Sequence, residues 1–169
     1  MENKNAISFS SDPTARQILF EWWKNLDENR GKRADLRRCH NIDEIAFTPS
    51  FHSLRKELYE FRINQEALAT IAGVLSYVKS NDTNSNFPVQ MATPKVGSQK
   101  AAVSDLRFRR LLAVEDRNEL FATMRRVVRL LEGHVNIFDL ANSIYWWNER
   151  TKKQWAYGYY GNVLVEKKK

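Results

Sequence analysis

From Leu120 onward, apolar residues recur at offsets of 4, 7, 8 and 11, through Met124, Val127, Val128 and Leu131. That spacing lays one stripe along an α-helix. Asp116 is placed to cap this helix, and Gly133 to end it as a C-terminal cap. The same grammar recurs along the chain. Ser11 or Asp12 caps a first helix, Pro13 suits its first turn, and Ile18, Leu19, Trp22, Trp23 and Leu26 form its stripe, which stops near Gly31. The stretch Arg30 to Arg38 reads as a loop running into a short helix. Thr48-Pro49 opens another helix, with Phe51, Leu54 and Leu58 on one side, and Asn64 caps the next, through Leu68, Ile71, Ala72 and Leu75. In the second half, helices are predicted over Leu106 to Leu112, from Asn136 through Ile137, Leu140, Ala141, Ile144 and Trp147, and over Thr151 to Tyr160.

Between Ser80 and Ala101 the period disappears. Asn81-Asp82-Thr83-Asn84-Ser85-Asn86, with Pro88, Pro94 and Gly97, reads as a flexible polar connection. The expected fold is therefore all-α: a compact helical bundle of two small lobes joined by a long polar loop. Its predicted parts are an N-terminal lobe over 1–79, the connection over 80–101, a C-terminal lobe over 102–162 and a basic tail over 163–169. No stretch alternates with period 2, so no sheet is expected. Only six glycines and four prolines in 169 residues agree with helix.

Charge narrows the function. A net charge of +7 implies an anionic partner, with nucleic acid ahead of an acidic protein or an anionic membrane. No apolar run approaches the roughly 18 residues of a membrane span, and Met1-Glu2-Asn3-Lys4-Asn5 lacks a signal-peptide core. A single cysteine, Cys39, forms no intramolecular disulfide, and a cytoplasmic protein is expected.

The cations are not evenly spread. Gly31 to Arg38 (GKRADLRR) and Ser104 to Leu112 (SDLRFRRLL) each set arginines among leucines or alanines. Such an arginine keeps its stem on apolar surface and its guanidinium in water, free for a phosphate. Arg30 to Arg38 holds five cations against Asp35 alone. On the helix after Asp116, with Leu120 at zero, Arg125 falls near 140°, Arg129 near 180° and Arg126 near 240°, all off the core stripe. Arg125 and Arg129 stack at i, i+4, a repulsion that gains a fold nothing and that a polyanion relieves. Arg107 and Arg110 share one face, and Phe108, Leu111 and Leu112 share another. Candidate nucleic-acid contacts are thus Lys32, Arg33, Arg37, Arg38, Arg107, Arg110, Arg125, Arg126 and Arg129; Arg117, with Glu115, Asp116 and Glu119 nearby, is left out. A charged helix face is also what solvent alone selects, so the clusters count for more than any single arginine.

Aromatic residues divide similarly. Burial is expected for Trp22 and Trp147, whereas Trp23 and Trp146 are expected to pack between helices or against another subunit, and Tyr157, Tyr159 and Tyr160 to form an interface patch. Catalysis finds little footing. His40, His52 and His134 are scattered, no glycine-rich phosphate loop is present, and no metal or other cofactor is implied. Cys39 follows two arginines that could lower its pKa, but no orienting group accompanies it.

Taken in order, these strings resemble the CasB family, the small subunit of the type I-E CRISPR surveillance complex Cascade. The resemblance runs through Trp22-Trp23-x-x-Leu26, the basic turn Gly31 to Arg38, Pro49-Ser50-Phe51-His52-Ser53-Leu54, Ser104 to Leu112, Met124-Arg125-Arg126 and Tyr145-Trp146-Trp147. The segment from Ser80 to Lys100 departs from it in its Asn and Ser content. The resemblance implies an all-helical, non-catalytic protein present as a pair of copies. Its implied partners are the crRNA-carrying backbone subunits, the large subunit and opened DNA, chiefly the displaced strand of the R-loop. By position, the leading implied contacts are Arg37, Arg38, Arg107, Arg110, Arg125 and Arg126. Two other readings stay open: a helix-turn-helix regulator of duplex DNA, with Phe138 to Trp147 as recognition helix, and a purely structural adaptor.

Overall fold

The computed structural model describes residues 3–166, with side chains through residue 163; the basic run Lys167 to Lys169 lies outside the described residues. The elements, in chain order, are β1 (Asn5–Ala6), α1 (Pro13–Glu28), α2 (Arg30–Arg37), α3 (Ile42–Ile45), α4 (Pro49–Glu57), β2 (Phe61–Arg62), α5 (Gln65–Leu75), β3 (Ser80–Asn81), α6 (Phe87–Ala92), α7 (Asp105–Leu112), α8 (Arg117–Leu130), β4 (His134–Val135), α9 (Ile137–Tyr145) and α10 (Glu149–Glu166). Among the described residues the fold is all-α apart from these very short strands.

Side-chain caps set most helix starts. Asp12 accepts from the amides of Thr14 and Ala15, Thr48 from Phe51, Asn64 from Ala67, Ser104 from Arg107, Asp116 from Glu119 and Asn136 from Asp139. Asn29 accepts from the Lys32 amide, so α2 starts at once and the expected loop is absent. Gly31 lies inside this helix rather than closing the one before it. At the end of α8 the Gly133 amide donates to Val128 O (3.0 Å) and the Glu132 amide to Arg129 O (2.9 Å), the paired bonds of a Schellman turn. Glycine therefore stands one position later than expected. The left-handed residue that follows the cap is Glu132 (φ 57°), and Gly133 (φ 78°) is needed as well, because a Cβ there would meet Lys79 Cγ at 2.8 Å.

At the centre sits α5, buried from Ala67 to Leu75 and packed against α3, α8 and α9. A helix apolar all round belongs inside. Gly73 allows Phe121 of α8 to approach; a Cβ there would lie 2.5 Å from its ring. One continuous cluster of buried residues runs from Ile7 to Tyr159 and includes Phe87, Met91 and Ala92.

Those three residues correct the reading of 80–101 as a flexible polar connection. Phe87 and Met91 are four apart and fully buried on α6, which packs on α10, where Phe87 meets Trp155 at 5.2 Å. Asp139 of α9 accepts from the Phe87 amide (2.7 Å), and burial raises its pKa. A six-residue helix is too short to show a period, and its Asn- and Ser-rich flanks conceal it. The expectation of no sheet also needs amending. Asn5 and Ala6 pair in parallel with Phe61 and Arg62, and Ser80 and Asn81 with His134 and Val135. Two-residue strands satisfy backbone groups without any alternating pattern.

Candidate nucleic-acid interface

The nine candidate cations do not share one environment. Arg33 Nη2 meets Asp27 Oδ1 at 2.7 Å, and Arg38 Nη2 meets Asp35 Oδ1 at 2.5 Å. Lys32 turns toward α1, its Nζ donating to Asn25 Oδ1 at 3.3 Å. Arg37 is different. Its Nε donates to Ser76 O, at the C-cap of α5 (2.8 Å), and its guanidinium lies 5.4 Å from the centre of the Tyr77 ring. Arg129, from α8, lies 4.9 Å from the same centre. Burial, then the neighbouring Arg33, and also Arg129, hold Arg37 below the usual arginine range, although Tyr77 opposes this. The group is still a cation at neutral pH, and the mutual repulsion marks a place where an anion is favoured.

Arg125 leans instead on Phe121, 4.6 Å from its ring centre. On the other flank of α8, Arg126 joins Arg107 and Arg110 of α7 around a cleft of about 450 Å³ lined also by Ala113, Thr123, Val127 and Leu130. One acid, Glu119, lines it too. None of Arg107, Arg110 and Arg126 is held in an ion pair among the described residues. Arg109, between them in sequence, is spent on Asp105 (3.2 Å). The structure thus brings together Arg37 with Arg129, and Arg107 with Arg110 and Arg126, with α8 contributing to both sets. The aromatic ring between the first pair, Tyr77, had no sequence signal, because it follows α5 outside any stripe.

Several single-residue expectations change. Arg117 has acids near it in sequence, yet what holds it is the end of α9: it donates to Ile144 O and to Tyr145 O (3.2 Å). Cys39 is buried, and burial followed by Glu44 and Asp35 raises its pKa, outweighing Arg38. Trp22 and Trp23 are both buried, their Nε1 atoms donating to Ser50 O (2.8 Å) and Val78 O (3.3 Å). Trp147 is half-buried and donates to Val114 O, whereas Trp146 is exposed. Tyr159 leaves the expected interface patch: it is buried, stacked on Phe108 at 4.0 Å, and donates to Val103 O (2.6 Å). Tyr157 is exposed, and Tyr160 donates to Asp105.

α9 cannot serve as a recognition helix, since Ile137, Leu140, Ala141, Ser143, Ile144 and Tyr145 are buried. Among the described residues, no group of three or more His, Cys, Asp or Glu is placed to hold a metal, and no helix is long and apolar enough to cross a membrane.

Two solved structures share this fold. One is a chain of the crystal structure of E. coli Cascade bound to a PAM-containing dsDNA target, with a TM-score of 0.71 and 21% identity, covering 88% of this chain and 96% of that one. The other is CasB from Thermus thermophilus, with a TM-score of 0.64 and 21% identity, covering 87% and 97%. No curated protein sequence matches the chain significantly. The family model for CRISPR-associated protein Cse2 matches residues 32–160, which takes in most of α2 through most of α10 and both arginine sets. With three quarters of its length under that match, the chain belongs to the Cse2 family of CRISPR-associated proteins.

Proposed function

We propose that this protein is a non-catalytic small subunit of a Cascade complex that holds opened DNA, chiefly the displaced strand, and so stabilises the R-loop. Its partners are then the crRNA ribonucleoprotein with its backbone and large subunits, and a second copy of itself, in the cytoplasm. The observation that carries this reading is the α7–α8 cleft, where Arg107, Arg110 and Arg126 converge and, among the described residues, none is held in an ion pair. Family membership and the likeness to a chain of DNA-bound Cascade support it.

The energetics suit so modest a device. The heteroduplex formed in an R-loop is about as stable as the duplex it replaces, so a small affinity for the extruded strand decides whether the open state persists. Each phosphate neutralised on a single strand contributes about −0.7 to the slope of log K against log salt. In this reading the arginines meet phosphates, which carry no sequence information, so sequence preference is slight.

Replacing Arg107, Arg110, Arg125 and Arg126 by alanine is expected to shorten R-loop lifetime on the assembled complex. The salt slope should fall by about 0.7 for each phosphate that is no longer neutralised. Lifetimes equal to those of the parent complex would overturn the proposal.

A further inference from the structure

A second basic surface lies at the opposite end of α5. The arginine surface around α8, the α8 face, reaches the C-cap of that helix where Arg37 of α2 donates to Ser76 O; at the other end of α5, beside Asn64, two clefts meet along Arg62 and Ile63. An α5 of 11 residues places roughly 16 Å between the two ends. One cleft, about 440 Å³, is lined by Lys4, Arg55, Lys56, Tyr59 and Arg62; the other, about 470 Å³, ends on Tyr145, Trp146 and Trp147.

Among the described residues, no carboxylate lines either cleft. Lys4, Arg55, Lys56 and Arg62 are in no ion pair among the described residues; Arg55 Nε donates to the neutral Gln65 Oε1 at 3.0 Å. Glu57 and Glu60 are near in sequence but are not part of the lining, and Glu60 accepts from the Tyr59 hydroxyl (3.2 Å). Trp146 is 41% exposed, and its ring is fixed by Nε1 donating to Ile7 O (3.1 Å) and by an edge contact with Tyr145 at 5.0 Å. Tyr59 is 66% exposed.

We propose that this trough is a second track for a single-stranded nucleic acid, with Lys4, Arg55, Lys56 and Arg62 on the phosphates and Trp146 under a base. Unneutralised cations beside an open, immobilised ring are what a strand with unpaired bases requires, and a duplex hides its base faces. An acidic peptide finds the cations but little open aliphatic surface, since Leu58 and Phe61 are covered and Ile63 is partly buried. The track does not depend on the α8 arginines.

The test is fluorescence anisotropy on the full chain with labelled oligothymidine and oligouridine of about 12 nucleotides, within the span of single-strand sites. Two separate pairs, R55Q with R62Q and K4Q with K56Q, remove exposed side chains, and thermal melting checks folding. Each pair is expected to weaken binding several-fold and to lower the salt slope by about 1.4, in the parent and equally in an R107A/R126A background. Weakening with oligothymidine alone assigns the track to DNA, with oligouridine alone to RNA, and with both to the shared phosphate backbone. Parent-like binding of both oligonucleotides by both pairs would overturn the proposal. So would a poly-glutamate competitor that displaces them at a lower concentration than unlabelled oligonucleotide.

Discussion

The α8 face draws its cations from strings that are conspicuously basic in sequence, whereas the trough at the start of α5 gathers Lys4, Arg55, Lys56 and Arg62 from separate elements. The conspicuous strings are the more neutralised. Arg38 is paired with Asp35 at i−3 and Arg109 with Asp105 at i−4, and Arg33 is taken up by Asp27 from the preceding helix. The helical spacing that stacks arginines also brings in acids one turn away. Exposed pairs of this kind add at most about 1 kcal/mol to stability, but they divert a guanidinium from phosphate. Cations assembled by topology carry no such escort. Density of charge along a sequence therefore overstates free charge on a face.

The largest test of this contrast is Arg117, which opens α8 and has nothing to do with its outer face. Burial, partly offset by Glu66, holds it below the usual arginine range, and it stays charged against two carbonyls at the end of α9. R117M is expected to cost about 2–3 kcal/mol in denaturant unfolding, as for hydrogen bonds to a charged group. R126A should stay within about 0.5 kcal/mol of the parent. Equal stabilities for the two variants would place Arg117 in the surface set.

A smaller effect is expected from pH, through the contact that seats α7. Burial first, then Asp105 and Tyr160, push the Tyr159 hydroxyl up to about 12. Above pH 10 the unfolded chain releases this proton while the folded chain keeps it. Its contribution is therefore complete below pH 10 and is lost as pH rises toward 12. Unfolding free energies measured across that window should fall more steeply for the parent than for Y159F. Parallel slopes would show that the phenol is not desolvated and that α7 is seated by the Phe108 stack alone.

Much of this arrangement was legible in the residues. Caps such as Asp12, Thr48, Asn64 and Asp116 fixed helix starts because a short polar side chain before an apolar stripe has one local use. The outward tilt of Arg125, Arg126 and Arg129 followed from helical angle alone. What stayed hidden depends on tertiary contact. The helix α6 is too short for its period to show, Asn29 caps α2 directly after α1 with no loop between them, Glu132 acts through backbone geometry, and Asp27 reaches Arg33 across a helix boundary. The trough was invisible because none of its cations except Arg55 and Lys56 are neighbours in the chain.

The smallest expected effect separates position from charge on the α8 face itself. Arg37 and Arg129 come from different helices and meet only at the Tyr77 ring, whose hydroxyl also donates to Arg37 O (3.2 Å). Each ring contact at such a site is worth about 0.5–1 kcal/mol. Y77L leaves every cation in place but removes what holds two of them together, so binding of a single strand should weaken a few-fold with the salt slope unchanged. Y77F, which keeps the ring, should bind as the parent does. Charge removal in the trough, by contrast, should weaken binding together with a shallower slope. A slope that falls in Y77L would mean that Arg37 or Arg129 had left the face altogether, and that the ring supplies the site rather than aligning it.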